Sequence, residues 1–213
     1  MYILNKLGEE RSFSSVAHEV QLSVSTVIRV FDLVSYIPPK SLPSVIAIDE
    51  FKGNAGDEKY QCILTNPQSG EILDILPTRN SSDLIRYMKK YSLNERKNVK
   101  YFVSDMWKPY IAHNVEGCLK TVKQMMSDWI LNAQSSQLTE YEKCASTMIN
   151  WQNGILNSFT VPHTNGFTEG CNNRIKVIKR ISYGYRNFRR FRNRILHIFR
   201  YQHPERYKTK VAA

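Results

Sequence analysis

The sequence predicts an α/β fold, a mixed sheet with flanking helices behind a small helix-turn-helix, and three observations lead there. Apolar runs rich in β-branched residues cluster between residues 44 and 105 and are broken by one helical pattern; helical spacing then takes over to the end. With 213 residues, 42% hydrophobic and 11% aromatic, the chain can fill a core and is not disordered by composition. Pro38, Pro39 and Pro43 mark an extended linker between an N-terminal helical segment and the strands.

Taken in order, Ser12 to Ser35 reads as two short helices. Ser14 or Ser15 is placed to cap the first, which carries Val16, Ala17 and Val20; Ser23 caps the second, which carries Val24, Val27, Ile28, Phe31 and Val34. The short connector and small Ala17 suit a helix-turn-helix with Ser25, Thr26 and Arg29 on its outer face, although Gln21 stands where a turn glycine is usual and an ordinary helical hairpin fits the same pattern. Ser44–Asp49, Lys59–Thr65 and Glu71–Leu76 are strands, the last two joined as a hairpin through Asn66–Gly70. Ser81 or Ser82 caps a helix with Leu84, Ile85, Met88 and Tyr91 inward, and Val99–Asp105 is the fourth strand. That order can set the first and fourth strands parallel and adjacent. The domain reading is 1–36 helix-turn-helix, 37–43 linker, 44–200 catalytic domain with a shortened insertion at about 112–160, and 201–213 a basic tail.

Charge and carboxylates suggest the chemistry. The net charge is +11, and residues after Glu169 hold 13 of the 30 basic residues and one of the 19 acids. A positive block of this kind suits a polyanion. Asp49 and Asp105 each end a strand; side by side they would repel unless a cation such as Mg²⁺ lay between them, and singly each could cap a turn. On the helix that follows Asn165, Glu169 shares a stripe roughly 60° wide with Asn173, Lys176 and Arg180, while Cys171, Ile175 and Ile178 face the core. A carboxylate for metal beside cations for phosphate is what phosphodiester chemistry needs, though a Glu in a first turn is also favoured by the helix dipole. Arg186 to Arg200 forms a second helix with Phe188, Phe191, Ile195 and Ile198 inward and Arg189, Arg190, Arg192, Arg194 and Arg200 around the rest, a composition suited to a nucleic-acid backbone. Tyr183 and Tyr185 are placed to stack on a base or to pack. Cys62, Cys118, Cys144 and Cys171 lack metal-ligand spacing and read as reduced thiols; no apolar run approaches the ~20 residues of a membrane span, and the first residues do not form a signal peptide.

Ile48-Asp49-Glu50-Phe51, Val103-Ser104-Asp105-Met106-Trp107-Lys108-Pro109-Tyr110 and the long run from Asn165 to Ile198 resemble the ISL-three family of bacterial insertion-sequence transposases. The resemblance implies an RNase H-like fold in which Asp49, Asp105 and Glu169 form a DDE site binding two Mg²⁺ or Mn²⁺ ions, with DNA cleavage and strand transfer at the element ends. DNA-contacting candidates are Ser25, Thr26, Arg29, Asn173, Arg174, Lys176, Lys179, Arg180, Arg186, Arg189 and Arg190. Expected partners are the terminal inverted repeats, target DNA and further copies of the chain, in the bacterial cytoplasm, with no membrane and no small-molecule substrate. Glu50 faces the wrong side of its strand to replace Asp49, and Asp57, Asp74 and Asp83 fall in hairpin or cap settings.

Family members carry a zinc-binding segment, an Asp-Arg-Phe-His run and a helical insertion, and here only 63 residues separate Asp105 from Glu169. The chain thus reads as N-terminally shortened and internally deleted, with a junction at Ala112–Leu119. Two alternatives to an active transposase stay open: a non-catalytic DNA-binding remnant that occupies element ends or represses transposition, and an RNase H-like nuclease without strand transfer.

Overall fold

Prolines keep residues 37–43 out of helix, and the chain passes from them directly into strand β1, Val45–Phe51. The computed structural model describes residues 1–104, 120–136, 138–158 and 163–207. Strands β2 (Gln61–Asn66) and β3 (Glu71–Leu76) form the expected hairpin, closed at Gly70 with φ of +69°, where a side chain would also meet Arg206. β4, Tyr101–Ser104, completes a sheet ordered β3-β2-β1-β4. β1 is antiparallel to β2 and parallel to β4, with Ile48 opposite Ser104, as the strand order required. The sheet is mixed, flanked by helices and RNase H-like.

Before the sheet lie α1 (Tyr2–Leu7), α2 (Phe13–Glu19) and α3 (Val24–Asp32). Ser23 caps α3 by accepting from the Thr26 N–H. The cap of α2 is Ser12 rather than Ser14 or Ser15: the helix begins earlier, because Phe13 belongs to its buried face. Gln21 takes a φ of +54°, the left-handed geometry that a turn glycine would otherwise supply. Between β3 and β4 run α4 (Ser81–Met88) and the short α5 (Leu93–Lys97). Asn80, not Ser81 or Ser82, precedes α4 as its cap residue, and its buried side chains are Asp83 and Tyr87, while Ile85 is 52% exposed. The inward face is therefore turned from the expected Leu84-Ile85-Met88 stripe, because Tyr87 and Tyr91 bond each other at 3.2 Å and Asp83 accepts from Thr78 at 2.7 Å.

After the undescribed stretch come α6 (Lys120–Ser135) and α7 (Thr139–Ser158), then α8 (Gly166–Ile181) and α9 (Phe188–Gln202). The chain divides into Met1–Asp105 with Asn165–Ala213 and, separately, Met106–Thr164. Within the second unit α6 and α7 pack through Ile130, Ala133 and Ala145. In the first, Leu7, Phe13, Val16, Val27 and Phe31 of α1–α3 share one core with Phe51, Ile63 and Ile75 of the sheet and with Ile175, Phe191 and Ile195 of α8 and α9.

His197 of α9 ties that core to the N-terminal helices. Its Nε2 lies 2.7 Å from the Leu4 carbonyl, and its Nδ1 is bonded to the Tyr36 hydroxyl. Both bonds are made at once by the neutral ring donating from Nε2 and accepting at Nδ1. Burial first, and the Arg194 charge after it, push the His197 pKa below its ordinary value, against the raising effect of the Leu4 bond. A group depressed in this way contributes stability that is complete above pH ~6.5, the unfolded value, and is lost as pH falls toward the folded one. Urea unfolding is therefore expected to show stability declining from pH 7 to pH 5, and His197→Asn to flatten that decline; an equally steep decline in the variant would remove His197 as its source.

Candidate active site

Asp49 stands two residues before the end of β1, with Ile48 and Phe51 buried around it. The pleat sends Asp49 and Phe51 to one face and Glu50 to the other. There Glu50 pairs with Arg79 at 2.8 Å, and the Arg79 guanidinium lies 4.5 Å from the Tyr60 ring. On its own face Asp49 meets α8. The Asn172 amide donates to Asp49 Oδ2 at 2.7 Å and to the Glu50 carbonyl at 3.3 Å, while the Glu50 N–H donates to Asp49 Oδ1 at 2.7 Å.

Two successive turns thereby fix the rotation of α8. In the first, Thr168 Oγ1 lies 2.9 Å from Thr65 Oγ1 of β2, both groups fully buried. In the second, Asn172 holds the end of β1. Glu169 follows Thr168 and precedes Asn172 by three residues, so its Cβ lies roughly 5–6 Å from that of Asn172, at the solvent edge of the buried face. Asn173, Lys176 and Arg180 are exposed on the same side, as the stripe required, and Cys171, Ile175 and Ile178 are buried. α8 is thus pinned through Asn172 to the end of β1 that carries Asp49, one turn from Glu169. Ser104, opposite Ile48, is the last described residue of β4, and Asp105, the next in sequence, lies outside the described residues, as does the Ala112–Leu119 junction. Asp74 and Asp83 are structural: Asp74 is 3% exposed and paired with Arg192, and Asp83 with Arg86.

The cationic side chains divide into two sets. Exposed are Arg29 on α3, Lys176 and Arg180 on α8, Arg186 just before α9 and Arg189 within it. Others are engaged within the fold. Arg174 pairs with Glu10 and lies 4.7 Å from the Phe199 ring; Arg190 forms a two-pronged pair with Asp32, at 2.9 and 2.7 Å, which holds the Asp32 carboxyl below its ordinary pKa. Lys179 Nζ donates to the Lys52 carbonyl at 3.0 Å, and burial, followed by the Lys52 charge, lowers its pKa. Arg192, Arg194 and Arg200, expected around the outside of α9, bond or stack inward because α1–α3 and the chain near Tyr36 cover that side. On α3 the hydroxyls of Ser25 and Thr26 lie 2.9 and 2.8 Å from Ser23 Oγ at the helix cap. Of the two tyrosines, Tyr183 is 99% exposed with a φ of +55°, and Tyr185 is buried and stacked on Phe191 at 4.7 Å.

Asn172, Thr168 and Lys52 are residues that sequence reasoning passed over. A stripe counted outward from charged positions stops short of Asn172, yet three residues after Glu169 was a position from which a side chain could reach the same place.

Among the described residues no cluster of three or more His, Cys, Asp or Glu side chains could hold a metal ion. The donors that are described nevertheless suit a hard divalent cation. Asp49 is a carboxylate held in place by the hydrogen bonds above, and Asn172 Oδ1 beside it is buried with no hydrogen-bond partner among the described residues. Cys62 and Cys171 are buried thiols, the latter pushed up to about 12 by burial, and soft-metal ligation finds no support in them.

The RNase H-like sheet carries Asp49 on an inner strand, and the helix that bears Glu169 is pinned to that strand through Asn172. The family model of the ISL-three DDE transposases, described as transposase, matches residues 46–123 and 112–195, and the chain belongs to that family. The two matches overlap at 112–123, which includes the Ala112–Leu119 stretch read from sequence as a junction. No curated protein matches the chain. Among the described residues no helix is long and apolar enough to cross a membrane.

Proposed function

We propose that this chain cleaves DNA at insertion-sequence ends and joins the freed strand to a target, using Asp49, Asp105 and Glu169. The observation that carries the proposal is the Asn172–Asp49 hydrogen bond of 2.7 Å, which ties the helix turn beside Glu169 to the strand beside β4. Pairing of Ile48 with Ser104 supports Asp105 as the third member, since one peptide unit separates Asp105 from a residue already opposite Ile48. Two divalent ions held by these three carboxylates would activate a water or 3′-hydroxyl and stabilise the departing oxygen in an in-line displacement at phosphorus. The chain's own part is to hold and orient. Lys176, Arg180, Arg186 and Arg189 offer exposed cations to backbone phosphates, and Arg29 with Ser25 and Thr26 extends the contact to α3 as the second helix of a helix-turn-helix. The expected setting is a homo-oligomer on terminal inverted repeats and target DNA in the bacterial cytoplasm.

A second reading, a DNA-binding remnant that occupies element ends without cutting them, is favoured by the overlap of the two family matches across 112–123. One experiment separates the two. With Mg²⁺ and an end-containing duplex, wild type is expected to cleave, and Asp105→Asn to bind the duplex with unchanged affinity and not to cleave it. Binding without cleavage by the wild type selects the remnant; equal cleavage by both proteins removes Asp105 from the site.

A further inference from the structure

We propose that Asn172 is a positioning residue: its carboxamide sets the orientation of the Asp49 carboxylate and holds the Glu169 turn of α8 against β1, so that the site binds its divalent ions tightly. The inference rests on the DDE reading above and adds to it a residue outside the triad. It begins with a cost. Asn172 is 5% exposed, and its Oδ1 is buried without a partner among the described residues. An unsatisfied buried oxygen is costly, and a leucine of similar shape at this position would avoid that cost. Packing therefore does not account for the amide. Its donor does: Nδ2 reaches two acceptors on consecutive residues, the Asp49 carboxylate and the Glu50 carbonyl.

The consequence for Asp49 is specific. The Glu50 N–H occupies one lone pair on Oδ1 and the Asn172 N–H one on Oδ2, so both oxygens are held and the carboxylate cannot turn about its last bond without losing a hydrogen bond. The direction of the carboxylate is thereby set, as a geometrically demanding ion such as Mg²⁺ requires. Because Asn172 lies one turn beyond Glu169, the same bond limits how far the Glu169 backbone can move from β1. Hydrogen-bond partners of metal-binding carboxylates act in this way and typically contribute 10–100-fold to metal affinity.

The test uses the full chain and Mn²⁺ alone, with free Mn²⁺ followed by electron paramagnetic resonance and folding by thermal unfolding. Asn172→Leu keeps the volume and loses the donor; Asn172→Ser keeps a shorter donor and serves should the leucine variant not fold. Asn172→Leu is expected to weaken Mn²⁺ binding about tenfold or more with the folded state retained, and Asn172→Ser to weaken it less. In cleavage assays the Mg²⁺ concentration for half-maximal rate should rise by a similar factor, while the rate at saturating Mg²⁺ stays within about threefold. Mn²⁺ affinity within twofold of wild type in either folded variant overturns the proposal and leaves the DDE reading standing. Failure of wild type to bind Mn²⁺ better than Asp49→Asn removes the metal site itself, and Asn172's role with it.

Discussion

Asp49→Asn is expected to lower Mg²⁺-dependent cleavage by at least about 10³-fold, and adding Asp105→Asn to lower it no further. The size follows from how such groups act: residues forming one catalytic unit lose nearly the whole effect when any member is removed, and their losses do not add. The choice of asparagine keeps the fold out of the result. Its oxygen can still accept from Asn172 Nδ2, so the clasp between α8 and β1 is retained while the negative charge is lost. Thermal unfolding should accordingly stay close to wild type, as should binding to an end-containing duplex, which the exposed cations on α8 and near α9 would carry. Cleavage above a tenth of wild type, or a double variant much worse than either single one, would show that Asp49 and Asp105 do not serve one site.

The strand order made the key juxtaposition legible. A strand, a hairpin, a helix and a further strand leave few ways to form one sheet, and the parallel β1–β4 pair that is adopted is one of them. The wheel of α8 was legible too, because Cys171, Ile175 and Ile178 mark its buried side without ambiguity. Where polar side chains do the packing, the pattern misleads. On α4 the inward residues are Asp83 and Tyr87, and counting aliphatics turns the helix the wrong way. On α9 the arginines read as a solvent face, and only the covering by α1–α3 and by the chain near Tyr36 shows that Arg194 and Arg192 point into protein. That covering joins residues more than 150 positions apart and has no local signature. Asn172 was illegible for a related reason: nothing in an Asn-Asn pair says which amide is buried.

The same covering sets the largest stability effect to be expected outside the site. Arg194 is fully buried, and its Nη2 donates to the carbonyls of Glu9 (3.1 Å) and Arg11 (2.7 Å), which close the turn between α1 and α2. Its guanidinium lies 5.5 and 5.8 Å from the Phe13 and Phe31 rings. No carboxylate pairs with it among the described residues; the Tyr185 hydroxyl, which bonds Ser182 at 2.7 Å, lies beside it and favours its charged form. Burial lowers the guanidinium pKa, but an arginine's ordinary value lies so far above neutrality that the group stays charged at pH 7. The charge therefore costs desolvation that stacking on two rings and two carbonyls only partly offsets. Truncation is worse, because Arg194→Ala orphans both carbonyls and opens a cavity in the core shared by α1–α3 and α9. Arg194→Ala is expected to cost about 3 kcal/mol. In a chain of this length that lowers the Tm by roughly 6–12 °C. Arg194→Met should recover part of the loss, since its side chain fills much of the volume and removes the buried charge, although the carbonyls stay unpaired. A Tm within 2 °C of wild type for the alanine variant would mean that the N-terminal helices hold to α9 through their apolar faces alone.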